Sequence, residues 1–123
     1  MRYLWIGLGG FLGAISRYYL GGLIAERWPG SFPVGTLAVN ASGTFLLGLV
    51  VALGVERGLI PEALRVALAI GFIGAYTTFS TWSVETLRLL EAGSFRLALT
   101  NLVGSAVVGL ASAWLGLKLG TIL

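Results

Sequence analysis

The sequence predicts an all-α integral membrane protein, a single domain of four transmembrane helices. Of its 123 residues, 57% are hydrophobic and only 11% are charged, whereas a soluble domain carries about 25% charged residues. Four apolar stretches are each long enough to cross about 30 Å of hydrocarbon, which takes about 20 helical residues. Charged residues accompanied by Pro or Gly separate these stretches, where a helix that enters water is expected to end.

The four predicted spans fill nearly the whole chain. Their approximate limits are residues 3–25, 34–55, 63–90 and 95–119. We expect the first to be a retained helix rather than a cleaved signal peptide, because Arg17 falls in its second half and three further spans follow. Short loops leave no room for a soluble domain, and four helices are too few to enclose a wide pathway. The sequence therefore predicts an oligomer.

The residue types that are missing exclude several classes of function. The chain has no His, Cys or Asp, which excludes a disulfide scaffold, a thiolate zinc site and a Cys or His nucleophile. We therefore predict no enzyme, since neither a nucleophile–base pair nor a metal-ligating set is available. The net charge of +3 comes from basic residues spread singly along an apolar chain, so no nucleic-acid partner is expected.

Basic residues are nearly balanced between the two predicted sides of the membrane. One side would carry Arg2, Arg57, Arg65 and Lys118, and the other Arg27, Arg88 and Arg96, joined by Arg17 if its side chain reaches that way. Positive residues near span ends normally set the orientation of a membrane protein. The balance has two interpretations: a weak bias set by the few N-terminal charges, or insertion both ways round with pairing as an antiparallel dimer.

Two polar side chains lie inside the first and second predicted spans. Arg17 occurs well within the first, where a charged side chain costs about 3 kcal/mol on insertion scales. It either snorkels toward the first loop or faces a water-filled vestibule, where it would attract anions. Asn40 is the deepest polar residue of the second span. Its amide either hydrogen-bonds a neighbouring helix or donates into a pathway.

The third span predicts a broken helix. Gly71 and Gly74 precede five hydroxyl residues within the seven positions 77–83. Ser and Thr hydroxyls compete for backbone groups, so we predict a break near residues 74–78. Irregular backbone at membrane depth is tolerated only where protein or a water-filled cavity covers it. Such breaks bring backbone carbonyls and N–H groups to ions in transporters.

Phe79 and Trp82 share one helix face beyond the predicted break, with Ser80 and Thr81 alongside. An aromatic ring is positive at its edge, so rings that line a pore edge-on would carry a small anion without a fixed charge. Ordinary packing is the alternative for both rings.

Two further patterns follow the aromatic pair. The charged residues that close the third span at helical spacing, Glu85, Arg88 and Glu91, predict a surface ion-pair set. In the fourth span, Asn101, Ser105 and Gly109 recur every four residues and form one stripe, which is either a pathway wall or a helix seam.

Three motifs occur in order along the chain: GFLGAISRY at residues 10–18, GTLAVNASGTFLLG at 35–48 and GFIGAYTTFSTWS at 71–83. Together they resemble the Fluc/CrcB family of fluoride channels, small four-span proteins of prokaryotes, over essentially the entire chain. The resemblance implies an antiparallel, dual-topology homodimer in the plasma membrane that exports cytoplasmic fluoride passively through two pathways and so confers fluoride resistance. It also implies a central sodium ion held by the backbone carbonyls of Gly74 and Thr77.

The resemblance assigns roles to the polar and aromatic residues as well. It makes Asn40 a pore-lining donor and Arg17 a vestibule residue. Phe79 falls on the first phenylalanine of the family's aromatic box, and Ser80 and Thr81 fall on its hydroxyl track.

Two positions depart from the family pattern. Trp82 replaces the second phenylalanine of the box and adds an indole N–H. Asn101 stands where the family often has tyrosine, followed by the expected Ser105. These departures bear on the rate and the local ion path more than on the function.

The main alternative is a small multidrug exporter, which is also a four-helix, dual-topology dimer. Proton-coupled export of cations needs a carboxylate deep in the membrane, normally in the first helix. Here that helix holds Arg17 and no acid before Glu26, while Glu85 lies near a helix end. A non-transporting assembly or lipid-packing protein would explain the glycines but not the hydroxyl cluster beside Phe79. We therefore predict a passive fluoride channel.

Overall fold

The computed structural model describes all 123 residues and is helical outside its short connections. In chain order the helices are α1 (Arg2–Arg27), α2 (Val34–Val50), α3 (Glu62–Val66), α4 (Gly74–Tyr76), α5 (Phe79–Glu91) and α6 (Phe95–Ile122). One π-helical segment, Val51–Glu56, prolongs α2, and another, Ala67–Ile73, joins α3 to α4. The all-α prediction is confirmed.

Three helical stretches are long and apolar enough to cross a membrane: Val34–Glu56, Glu62–Glu91 and Phe95–Ile122. They agree with the second, third and fourth predicted spans. Helix α1 has 26 residues, enough to cross a bilayer at about 1.5 Å per residue. Its glycines, tyrosines and Arg17 make it less apolar than the other three. That α1 is the first membrane span stays a prediction.

Two of the connections turn at glycines with a left-handed backbone. Gly58 has a φ of +62° and Gly93 a φ of +78°, a conformation that costs glycine nothing because it has no Cβ. At Gly93 the turn also closes α5, because Gly93 N–H donates to the Leu90 carbonyl and Ser94 N–H to the Leu89 carbonyl. Helix α6 therefore starts immediately beyond the turn.

The helices approach one another through glycines. A Cβ built on Gly13 of α1 would overlap the backbone carbonyl of Phe72 in the segment Ala67–Ile73. A Cβ built on Gly116 of α6 would likewise overlap the carbonyl of Phe45 in α2. Small residues thus bring backbones into contact, as expected for helices that pack in lipid. Gly109, by contrast, has open space around it.

Most of the apolar surface is not buried within one chain. Only 16 of the 123 residues are buried, and side chains such as Phe11, Leu110 and Ile122 are exposed. A soluble monomer rarely exposes a continuous apolar surface of this kind. The surface is suited to lipid or to another apolar protein face.

Candidate functional site

The helix of the third span is interrupted at Thr77 and Thr78, which we call the break. Thr77 has φ −86° and ψ 155°, and Thr78 has φ −146° and ψ 112°, so both are extended. Thr78 then caps α5, since its Oγ1 accepts a hydrogen bond of 3.1 Å from the Thr81 N–H. The break lies within the predicted residues 74–78, and the hydroxyl-rich sequence explains it.

The side-chain amide of Asn40 pairs with the backbone of the break. Thr78 N–H donates to Asn40 Oδ1 at 2.8 Å, and Asn40 Nδ2 donates to the Thr78 carbonyl at 3.2 Å. The amide therefore replaces helical hydrogen bonds that the break has removed. An amide nitrogen carries two hydrogens, so one N–H of half-buried Asn40 is left for another acceptor.

The guanidinium of Arg17 also lies at the break. Its Nε donates to the Ala75 carbonyl at 3.2 Å, the carbonyl that Phe79 N–H would occupy in an unbroken helix. A guanidinium has five N–H donors in all. Arg17 thus satisfies one freed carbonyl and keeps four N–H groups and its charge beside it.

Two further carbonyls lose their helical donors at the break. The Thr78 N–H, which would reach the Gly74 carbonyl, goes to Asn40 instead. The Thr81 N–H, which would reach the Thr77 carbonyl, goes to Thr78 Oγ1. The oxygens of Gly74 and Thr77 are hard, uncharged ligands of the kind that alkali and alkaline-earth cations prefer. The residues implied as sodium ligands therefore fit such an ion chemically.

The aromatic pair begins immediately after the break. Phe79 is 78% exposed, and its ring centroid lies 5.4 Å from that of Trp82 with the planes inclined at 44°. Ser80 is exposed, with its hydroxyl 3.3 Å from that of Thr78. Phe79 and Ser80 are thus accessible to an ion outside the packed core of the chain.

Trp82 is bound to the fourth long helix. Its indole Nε1 donates to the Asn101 carbonyl at 3.1 Å, and the Asn101 side chain donates to Thr86 Oγ1 at 2.8 Å. The hydroxyl of half-buried Ser105 donates to Asn101 Oδ1 at 3.0 Å. Of the two interpretations of the Asn101 stripe, the seam between α5 and α6 describes Asn101, which is 1% exposed.

A cavity of about 550 Å³ opens beside the break. Its polar and charged lining includes Arg17, Thr36, Thr78, Thr81, Glu85 and Arg88. Within it, Thr36 donates to Glu85 Oε2 at 2.9 Å, while Glu85 Oε1 is buried without a partner. The cavity is therefore lined by two cationic groups, Arg17 from α1 and Arg88 from α5, and by one carboxylate, Glu85 from α5.

Sequence reasoning missed Thr36 and Glu85. The predicted surface ion pair forms between Arg88 and Glu91 at 3.0 Å, but the prediction is wrong for Glu85, which turns into the cavity toward Thr36. One signal was available, since Thr36 lies four residues before Asn40 and so shares its helix face.

Comparison with known proteins identifies the family. Residues 4–117 match the model of the family described as "CrcB-like protein, Camphor Resistance (CrcB)". A protein of Symbiobacterium thermophilum named "Fluoride-specific ion channel FluC 2" is 49% identical over 93% of both chains. One of Magnetococcus marinus named "Fluoride-specific ion channel FluC" is 42% identical over 100% of both. One of the same name from Geobacter sp. (strain M21) is 48% identical over 93% of this chain and 92% of its own. The chain therefore belongs to the CrcB-like family.

Proposed function

We propose that this member of the CrcB-like family is a fluoride-selective ion channel that lets cytoplasmic fluoride leave the cell passively and so confers fluoride resistance. The observation that carries the proposal is the amide of Asn40 on the break, with one N–H unused and the exposed ring of Phe79 close by. The names of the relatives, each a fluoride-specific ion channel, support the choice of ion.

Fluoride enters through the cavity beside the break. Arg17 lines that cavity and engages only Nε with the Ala75 carbonyl. A fixed positive charge in a cleft with low-dielectric walls raises the local concentration of anions. Since part of the guanidinium is held by the protein, Arg17 attracts an anion without enclosing it.

The ion then passes along neutral donors. Asn40 offers its remaining N–H, Ser80 and Thr81 offer hydroxyls, and Phe79 and Trp82 offer the positive edges of their rings. A conducting site must bind an ion well enough to admit it and weakly enough to release it. Several weak donors meet this condition better than one strong cationic site.

Selectivity follows from the kind of donor and the width of the path. Fluoride is small and strongly hydrated, so it enters a narrow path only where hard N–H and O–H donors replace its water. Chloride is larger and forms weaker hydrogen bonds with these donors, so it does not enter the narrow path. Half-buried Ser105 of α6 belongs to the wall of the same path, where its hydroxyl donates to Asn101 Oδ1.

The working form is an antiparallel homodimer with two pathways. Two observations support it: the near balance of basic residues on the two sides, and the large apolar surface that a single chain leaves exposed.

A sodium ion would be held by the carbonyls of Gly74 and Thr77, which have lost their helical donors to Asn40 and Thr78. When bound, the ion supplies a fixed positive charge that holds the freed carbonyls in place. Unwound backbone at membrane depth commonly coordinates sodium in this way.

A proton-coupled cation exporter is the second candidate, and one observation favours it. Glu85 places a carboxylate in the cavity with one oxygen unpartnered. However, α1, where such exporters carry their acid, has none before Glu26, and Arg17 on the same cavity would repel a cationic cargo.

Ion efflux from sealed liposomes tests the proposal. Purified protein is reconstituted into vesicles loaded with potassium fluoride or potassium chloride, and release is followed with ion electrodes after a potassium ionophore dissipates the voltage. We expect rapid fluoride release and negligible chloride release. Protein-free liposomes give the leak.

Release of neither ion from demonstrably reconstituted protein would contradict the channel. Uptake of a lipophilic cation driven by a pH gradient in the same vesicles would then establish the exporter. Equal release of both ions would retain an anion channel but remove the selectivity assigned to the hard donors.

A further inference from the structure

The indole of Trp82 uses its single donor inside the protein. Its Nε1 donates to the Asn101 carbonyl at 3.1 Å. Indole has one N–H and no conventional acceptor. Trp82 therefore presents an apolar ring with a positive edge to its surroundings. Because its only N–H is already bonded to Asn101, that hydrogen bond fixes the orientation of the ring.

Three residues close a circuit of hydrogen bonds between α5 and α6. Trp82 Nε1 donates to the Asn101 carbonyl, Asn101 Nδ2 donates to Thr86 Oγ1 at 2.8 Å, and Thr86 Oγ1 donates to the Trp82 carbonyl at 2.8 Å. Each member thus both gives and receives within the set. We call Trp82, Thr86 and Asn101 the indole circuit.

Two members of the circuit, Thr86 and Asn101, are shielded from solvent. Asn101 is 1% exposed and Thr86 is 8% exposed. The hydroxyl of Ser105 donates to Asn101 Oδ1 at 3.0 Å, so the oxygen of this amide is occupied as well. A buried, hydrogen-bonded polar set holds its members in one arrangement, because a rotation breaks one of these bonds and leaves a buried group without its partner.

The indole circuit affects the orientation of α5, because α5 is held mainly by α6. The break separates α5 from the helix before it, and α5 packs chiefly against α6. The rotation of α5 about its own axis therefore depends on the α5–α6 contact. That rotation sets where Trp82 and Phe79, whose ring centroids are 5.4 Å apart, point.

We infer that Thr86 and Asn101 are positioning residues that fix the aromatic pair at the ion path, and that Trp82 meets the ion with its ring edge and not with its N–H. The inference rests on the proposed function and deepens it. It separates the two asparagines by their burial: half-buried Asn40 has an N–H that an ion can reach, whereas Asn101 is 1% exposed and only holds the two rings in position.

Variants of Thr86 test the positioning role in the liposome assay. Thr86→Val keeps the shape but removes the hydroxyl that joins Asn101 to Trp82. We expect fluoride efflux to fall about tenfold, which corresponds to about 1.4 kcal/mol. Thr86→Ser restores the hydroxyl and is expected to recover efflux. Thr121→Val is the matched control, because Thr121 makes only the ordinary bonds back to its own helix and is exposed at the end of α6.

The indole N–H resonances supply a readout that does not depend on flux. The chain has four tryptophans, so a sample labelled with ¹⁵N-tryptophan shows four indole signals, and Trp82→Phe identifies one by its loss. We expect the Trp82 N–H to exchange slowly with D₂O and to stay in place on titration with sodium fluoride or sodium chloride. Thr86→Val should speed the exchange, and Thr86→Ser should not.

Each outcome decides something. A saturable shift of the Trp82 N–H with fluoride would make the indole an ion donor and overturn the inference. Wild-type exchange together with wild-type flux in Thr86→Val would show that the circuit positions nothing. If the wild-type chain conducts no fluoride, the proposed function fails, while slow or fast exchange of the Trp82 N–H still decides whether the circuit exists.

Discussion

The two halves of the third long helix are built in opposite ways. The half before the break, Glu62–Tyr76, lies against α1 with backbone touching backbone: a Cβ on Gly71 would come within 2.7 Å of the Ile6 carbonyl. The half after it, Phe79–Glu91, meets its neighbours through side-chain hydrogen bonds and leaves Phe79 exposed. Between the halves, Asn40 bonds to the extended Thr78 and Arg17 to the Ala75 carbonyl.

Under the proposed function, this difference allows one span both to pack against its neighbours and to line the ion path. In lipid, helices associate by close contact between small residues, and the first half supplies that contact. The proposed ion path needs side chains that are held in position but not buried, and Phe79 and Ser80 of the second half are exposed. The break lets the second half adopt its own direction, so neither task constrains the other.

The largest effect is expected from disturbing the close-packed half. In Gly13→Val the new side chain collides with the Phe72 backbone, and the free energy of unfolding should fall by about 3 kcal/mol. Thermal unfolding in detergent measures the loss. Gly7→Ala on the same helix is the control, since nothing lies within 4 Å of a Cβ there. Equal stability of the two variants would contradict the packing role.

The next largest effect is expected at the break between the two halves. Asn40→Asp places a carboxylate against the Thr78 carbonyl, which Asn40 Nδ2 now contacts at 3.2 Å, and puts negative charge in the anion path. Fluoride efflux should fall about 30-fold, equivalent to about 2 kcal/mol. Thr44→Val, one turn further along α2, should conduct normally. Unchanged flux in Asn40→Asp would remove Asn40 from the mechanism.

A smaller effect is expected in the open half. Phe79→Ala removes a ring that is 78% exposed, so the stability of the fold should change little. The proposed ion path, however, loses one ring edge. Efflux should fall about tenfold, or about 1.4 kcal/mol, while size-exclusion chromatography shows the same assembly. Phe95→Ala, at the 67% exposed Phe95 of α6, is the matched control. A loss of assembly in Phe79→Ala alone would instead assign the ring to packing.

The smallest effect is expected at the outer end of the close-packed half. Arg2 and Glu62 form an exposed ion pair at 2.7 Å, and such pairs contribute about 0.5 kcal/mol. Glu62→Gln should therefore leave both efflux and the unfolding midpoint near the wild-type values at physiological salt. A large loss of stability would show that the α1–α3 contact depends on charge and not on glycine packing.

Features of this molecule that depend on residues within one segment could be predicted from the sequence. An apolar chain in a bilayer has to satisfy its backbone internally, so composition and span length predicted an all-helical fold. The break was predictable because the hydroxyls that replace helical partners, such as Thr78, lie within the segment itself. The sequence also indicated Asn40 as a polar residue deep in a span and Phe79 as an aromatic residue beside a hydroxyl cluster.

Features that depend on contacts between distant residues were not predictable. The pairing of Asn40 with Thr78 joins residues 38 positions apart, and nothing in either segment specifies the other. The same holds for Glu85, whose partner Thr36 lies on another helix. The π-helical turns at Val51–Glu56 and Ala67–Ile73 were likewise not predicted, although each contains a glycine, Gly54 in the first and Gly71 in the second.

We expect an anion to meet the amide of Asn40 at the break and not the packed interior of the chain. One measurement separates the two directly, since the chain has only two asparagines, Asn40 and Asn101, and no glutamine. A sample labelled with ¹⁵N-asparagine, observed by NMR, shows just two side-chain amides. We predict that sodium fluoride shifts the Asn40 amide saturably and leaves Asn101 in place, and that sodium chloride moves neither. An unmoved Asn40 amide, or a shift at Asn101 alone, would contradict an ion site at Asn40.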